Sequence, residues 1–146
     1  MEIERKFLVR QMPEGQELAP RRHIIQAYIS TDPVIRIRRS EKGCTLTVKG
    51  RGTLCREELN LPLSPEAFER LMKKAEGRII EKTRWLIPLG EHTVELDVFS
   101  GDLAPLVLAE VEFDSPEAAL AFRPPCWFGD EVTENPRYTN AYLSTL

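Results

Sequence analysis

Charged side chains recur at every second position in several short stretches of this chain. Carboxylates do so at Glu2 and Glu4, at Glu95 and Asp97, and at Glu110 and Glu112. Cations do so at Arg36 and Arg38 and at Lys82 and Arg84, while Lys6, Lys49 and Arg56 lie in similar alternating runs. Residues two apart share one face of an extended strand. Each pair is therefore a row of one sign. Clustered carboxylates supply the hard oxygens that Mg²⁺ or Mn²⁺ prefer. Arginine forks and lysine ammoniums suit phosphate. A cavity with both chemistries suits a metal-bound polyphosphate. On any one strand, a solvated face is the better explanation of the row. Yet neighbouring like charges repel, and wet faces ordinarily mix both signs with Thr, Ser and Gln. Single-sign rows on so many strands point to something of opposite charge between them.

The segments that must carry these rows read as strands. Alternation marks Glu2–Arg10, His23–Ile29, Val34–Arg39, Cys44–Lys49, Arg56–Leu61, Ile79–Ile87, Thr93–Phe99 and Val107–Phe113. Glu41-Lys42-Gly43 and Leu89-Gly90-Glu91 separate neighbouring runs, as in hairpins. Ser64-Pro65 and Ser115-Pro116 offer an N-cap with proline at the first helical position. They predict helices over Pro65–Glu76, ended by Gly77, and over Pro116–Ala121, with Ala119, Leu120 and Phe122 as apolar positions. A short helix is expected near Tyr138–Leu143. The class is mainly β (α+β), an antiparallel barrel or sandwich with a few covering helices. If the sheet closes, the acidic rows of the first and last strands become neighbours. The apolar faces then point outward.

Length and composition narrow the function classes. The 146 residues, 42% of them hydrophobic, suit one domain with a real core. A net charge of −3 does not suggest a general nucleic-acid binder. The start is too charged for a signal peptide, and no apolar run is long enough to span a bilayer. Cys44, Cys55 and Cys126 are widely spaced with no C-x-x-C, which suits free thiols in the cytoplasm. His23 and His92 lack partners at zinc-ligand spacing.

Taken in order, these motifs resemble the CYTH superfamily, the triphosphate tunnel metalloenzymes. The stretches are Glu2-Ile3-Glu4-Arg5-Lys6, Arg36-Ile37-Arg38, Lys49-Gly50, Arg56-Glu57-Glu58, Lys82-Thr83-Arg84, Glu95-Leu96-Asp97 and Glu110-Val111-Glu112. The first alone is a weak signal; all of them in order are a strong one. The resemblance spans nearly the whole chain and implies a single domain over 1–146. It implies a closed antiparallel barrel of about eight strands, tunnel-like and open at both ends, with charges lining the lumen. It places Glu2, Glu4, Asp97, Glu110 and Glu112 on a divalent metal. It places Lys6, Arg36, Arg38, Lys49, Arg56, Lys82 and Arg84 on phosphate. Glu4, Lys6, Arg84 and Glu112 are expected nearest the reaction. The family often carries an acid where this chain has Asn60.

The expected activity is metal-dependent hydrolysis of a triphosphate. Inorganic tripolyphosphate is favoured, because the chain is compact and few aromatics are free to stack on a base. Nucleoside or thiamine triphosphate hydrolysis, cyclisation of ATP and non-catalytic polyphosphate binding are the alternatives. Lys49-Gly50-Arg51-Gly52 lacks the spacing of a phosphate-binding glycine loop and reads as a turn. Tyr28 is expected to pack, and Arg137 either reaches a tunnel mouth or is solvated. Uncovered apolar strand faces would favour a homodimer.

Overall fold

The computed structural model describes residues 1–146. Ten strands and three short helices make up the chain. The strands are β1 (Glu2–Val9), β2 (Arg21–Thr31), β3 (Val34–Ser40), β4 (Gly43–Lys49), β5 (Cys55–Arg56), β6 (Glu58–Leu63), β7 (Glu76–Leu89), β8 (His92–Phe99), β9 (Val107–Glu112) and β10 (Phe128–Glu131). The helices are α1 (Pro65–Met72), α2 (Pro116–Ala121) and α3 (Asn140–Leu143). None is long and apolar enough to cross a membrane.

All strand pairs are antiparallel, in the order β10-β1-β9-β8-β7-β2-β3-β4-β6, with β5 returning to β1. Only Glu57 separates β5 from β6. Taken as one interrupted stave, they complete a nearly closed barrel of eight. The ladder that closes it is short: Glu2 faces Arg56 and Ile3 faces Cys55. Beyond that point β1 pairs instead with β10, where Phe7 faces Glu131. Arg5 fixes this addition. It donates to both Glu131 carboxylate oxygens, at 2.9 and 2.7 Å, and to the carbonyls of Ala119 and Phe122.

The apolar faces pack mainly outside the barrel. Ile3, Phe7, Val94, Leu96, Ala109 and Val111 meet Ala119, Phe122 and Phe128 beneath α2 and β10. Phe68 of α1 packs on Ala27, Ile37 and Cys44. The two longer of these helices, α1 and α2, start at their expected caps: Ser64 accepts from the Ala67 amide and Ser115 from the Ala118 amide. Two local expectations are corrected. α1 stops at Met72, short of Glu76, because tight turns from Lys74 to Leu71 and Ala75 to Met72 bring the chain into β7. Gly77 is a β7 residue with φ +69°, where a Cβ would collide with the Ser144 carbonyl. Leu120 is exposed rather than packed.

A third cluster lies inside the barrel. Leu8 faces Leu108 across β1 and β9, in the same inward rows as Lys6 and Glu110. Tyr28, Ile80, Phe99 and Leu108 pack with Val132 and with Leu143 of α3. This apolar layer fills one end of the barrel, so the lumen is not open at both ends.

Candidate active site

Register decides which charges meet. Across β1 and β9, Glu4 faces Glu112 and Lys6 faces Glu110. Glu110 also faces Glu95 of β8, and Arg84 of β7 faces Asp97. Gln26 and Tyr28 of β2 face Arg38 and Arg36. Lys49 faces Glu58, and Glu2 faces Arg56. Inward rows from eight staves thus converge on one lumen. A cavity of about 250 Å³ is lined there by Lys6, Arg36, Arg38, Lys49, Arg56, Lys82 and Arg84, with Glu4 and Glu110 as its only carboxylates. Seven cations against two acids make this a site for a polyanion.

Three of the five carboxylates expected on metal come together. One oxygen from each of Glu2, Glu4 and Glu112 lies within 4.8 Å of the others. Burial, with Glu110 and Glu2 nearby, pushes Glu4 well above the usual carboxylate range. Partial burial, then Glu95, Glu2 and Glu58, pushes Glu112 up to about 7. Burial also raises Glu2, although Lys49 sits 2.8 Å away. Crowded anions of this kind are relieved by a cation. An all-oxygen set fits a hard divalent ion.

Asp97 and Glu110 stand apart from that cluster, in ion pairs with the lumen cations. Asp97 accepts from Arg84 Nε at 2.8 Å and from the second Arg84 nitrogen at 2.9 Å, with Lys82 Nζ at 2.7 Å. Burial opposes its charge, but Arg84 and Lys82 hold it below its ordinary range. Glu110 lies 3.4 Å from Lys6. It too is held low against burial by Lys6, Arg84 and Lys82. Both carboxylates fix the cations that surround them.

The cations differ in how fully they are satisfied. Arg84 is locked by Asp97 and by Glu95 at 3.2 Å. Lys82 is buried, and burial plus Arg84 and Arg38 lower it to about 7 despite Asp97. An amine there is able to take up or release a proton at neutral pH. Arg38 donates to Gln26 at 2.9 Å and pairs with no carboxylate. Burial, then Arg36 and Arg84, lower it to about 9. Arg36 donates to Thr47 at 3.2 Å, and its Nε is the one buried side-chain polar atom with no partner. Native proteins pair nearly all such donors with protein, water or a bound group, so this nitrogen is a position for one.

The family model of the CYTH domain matches residues 1–122. The chain belongs to the CYTH family. This CYTH chain is 46% identical over 148 aligned residues to the inorganic triphosphatase of Nitrosomonas europaea, covering 98% of this chain and 96% of that protein. It is 37% identical to the inorganic triphosphatase of Acetivibrio thermocellus, covering 97% of this chain and 92% of that protein. Among solved structures, the crystal structure of the inorganic triphosphatase NE1496 superposes with a TM-score of 0.73 at 41% identity, covering 100% of this chain and 95% of that one.

In this CYTH chain the segment beyond the matched residues completes the cavity. Val132, Thr133, Asn135, Pro136, Thr139, Asn140 and Ala141 line it. Lys6 Nζ donates to the Tyr138 carbonyl at 3.0 Å. These contacts were missed by reading the sequence, because the segment shows no charged row. Gln26 was missed because it carries no charge and its neighbours in the row, Ile24 and Tyr28, read as packing residues. Asn60 accepts from Thr47 at 2.5 Å and donates to Glu58 at 2.8 Å, which aims Glu58 toward Lys49. Tyr28 joins the apolar plug and also lines the cavity. Arg137 is exposed and lies outside the lining.

Proposed function

We infer that the protein hydrolyses a triphosphate with a divalent cation, most specifically inorganic tripolyphosphate to diphosphate and phosphate. The carrying observation is the pair Arg36 and Arg38. Both face a cavity of seven cations, neither is ion-paired, and one has an orphaned buried donor. The names of the full-length relatives support the substrate class. Arg36 and Arg38 grip phosphate oxygens with planar donor forks. Lys49 and Arg56 extend the grip along the phosphate chain. In this reading Lys6 and Arg84 serve the reacting phosphate and would stabilise charge developing on its equatorial oxygens and on the departing diphosphate. Glu2, Glu4 and Glu112 would hold Mg²⁺ or Mn²⁺, which when bound would neutralise charge on phosphate oxygens. Glu110 and Asp97 stay with the cations. A water oxygen attacks the terminal phosphorus and the bridging P–O bond breaks. The proton passes to Glu4 or Glu112, or to Lys82, whose amine titrates near neutrality. A cytoplasmic location belongs to the same reading, resting on three cysteines that form no disulfide.

The test is phosphate release from tripolyphosphate, ATP, GTP and thiamine triphosphate, each with Mg²⁺ and with Mn²⁺. Tripolyphosphate should be cleaved fastest, with diphosphate as co-product. Glu4→Ala and Arg38→Ala should each lose at least tenfold. No release from any substrate refutes the reading. Cyclic AMP as the main product from ATP would make the protein a cyclase.

A further inference from the structure

We propose that Asn140 is a positioning residue for the phosphate grip: its side-chain oxygen orients Lys82 directly and Arg38 by way of Gln26. The inference rests on the triphosphate reading of the lumen. Three hydrogen bonds carry it. Lys82 Nζ and Gln26 Nε2 each donate to Asn140 Oδ1 at 2.9 Å. Arg38 Nε donates to Gln26 Oε1 at 2.9 Å.

The direction of this chain is forced. Arginine only donates, so the Gln26 oxygen must face Arg38, and the Asn140 oxygen that faces Gln26 is the atom to which Lys82 donates. Gln26 then has its amide nitrogen left over, and Asn140 Oδ1 accepts it. Gln26 is fully buried and Lys82 is 1% exposed, so neither has water as an easy substitute. Losing the Asn140 oxygen would strand the Gln26 donor and leave Lys82 with Asp97 as its one acceptor. Lys82 would settle fully on Asp97, and Gln26 would turn and release Arg38.

Docking of α3 does not need this side chain. Leu143 sits in the apolar plug, Thr139 caps the helix by accepting from the Tyr142 amide at 3.1 Å, and the Ser144 carbonyl accepts from the Arg78 amide at 2.6 Å. The apolar side of the segment holds it in place, which leaves the Asn140 amide for the lumen.

The experiment compares Asn140→Leu, Gln26→Leu, their double variant and Leu143→Ala. Each is assayed for kcat and KM on tripolyphosphate with Mg²⁺, for Tm, and for tripolyphosphate binding in EDTA by calorimetry. Gln26→Leu touches the Arg38 branch alone and should chiefly raise KM. Asn140→Leu touches both branches and should raise KM and lower kcat, cutting kcat/KM by about tenfold or more. The double variant should be no worse than Asn140→Leu within about twofold, since both act in one chain. Leu143→Ala should lower Tm while keeping kcat/KM within about twofold. The proposal is overturned if Asn140→Leu leaves kcat/KM and binding near wild type, or if Leu143→Ala reproduces its losses. A wild type that releases no phosphate refutes the hydrolase reading. The calorimetric arm then decides on Asn140 alone, weaker binding by Asn140→Leu supporting it and unchanged binding overturning it.

Discussion

Arg36 shows how a ligand site costs the protein that carries it. An orphaned buried donor is worth about 1–3 kcal/mol against folding, and more when charged. Arg36→Met should therefore leave the ligand-free Tm unchanged or higher, while tripolyphosphate loses most of its stabilising effect and phosphate release falls at least tenfold. Scanning fluorimetry with and without tripolyphosphate checks the first two effects. Glu112 gives a pH signature. Its carboxyl titrates at about 7 in the folded chain and near 4.5 when unfolded. Between those values the folded state binds the extra proton, so stability is lost as pH rises through that window. Without metal, Tm should fall from pH 4.5 toward 7 by more in wild type than in Glu112→Gln. Mg²⁺ should flatten the wild-type fall, because the cation favours the deprotonated form. Equal slopes in the two proteins without metal would contradict this assignment.

At the scale of elements, the alternating rows were legible because lumen-facing residues repeat every second position. The same period, carried two residues further, also marks where the charges end. Lys6 is followed by Leu8, Asp97 by Phe99, Glu110 is preceded by Leu108, and Lys82 by Ile80. Each strand thus passes from charged to apolar inside the barrel, and the four apolar residues share one end. That switch is in the sequence, although it is easily dismissed as four unrelated core positions. Leu108 is fully buried in the plug. Leu108→Ala should cost about 2–5 kcal/mol, measured by denaturant unfolding. β10 was not legible. Phe-Gly-Asp-Glu has no alternation, and the strand exists because Arg5 and the free edge of β1 receive it. A short edge strand of this kind is made by tertiary pairing rather than by local preference.

For the whole molecule, barrel closure was inferable from acidic rows that need one another across a hundred residues. The part of the end wall that residues 132–143 contribute was not, because that segment's own pattern is mixed. The seam has a further consequence. β1 is completed on one side by β9 and on the other by β5 and then β10. The first strand of the chain therefore waits for nearly the last. Pairings this distant in sequence are slow, because loop-closure entropy is lost before any contact rewards it. During synthesis the amino-terminal strand should remain an open edge until Val107–Glu112 has been added. Stalled chains ending before Val107 should be cut by protease within β1, and chains carried through Glu131 should resist. The three clustered carboxylates would then come into being at the moment of closure, so that a nascent chain has no grip on metal until its barrel is shut.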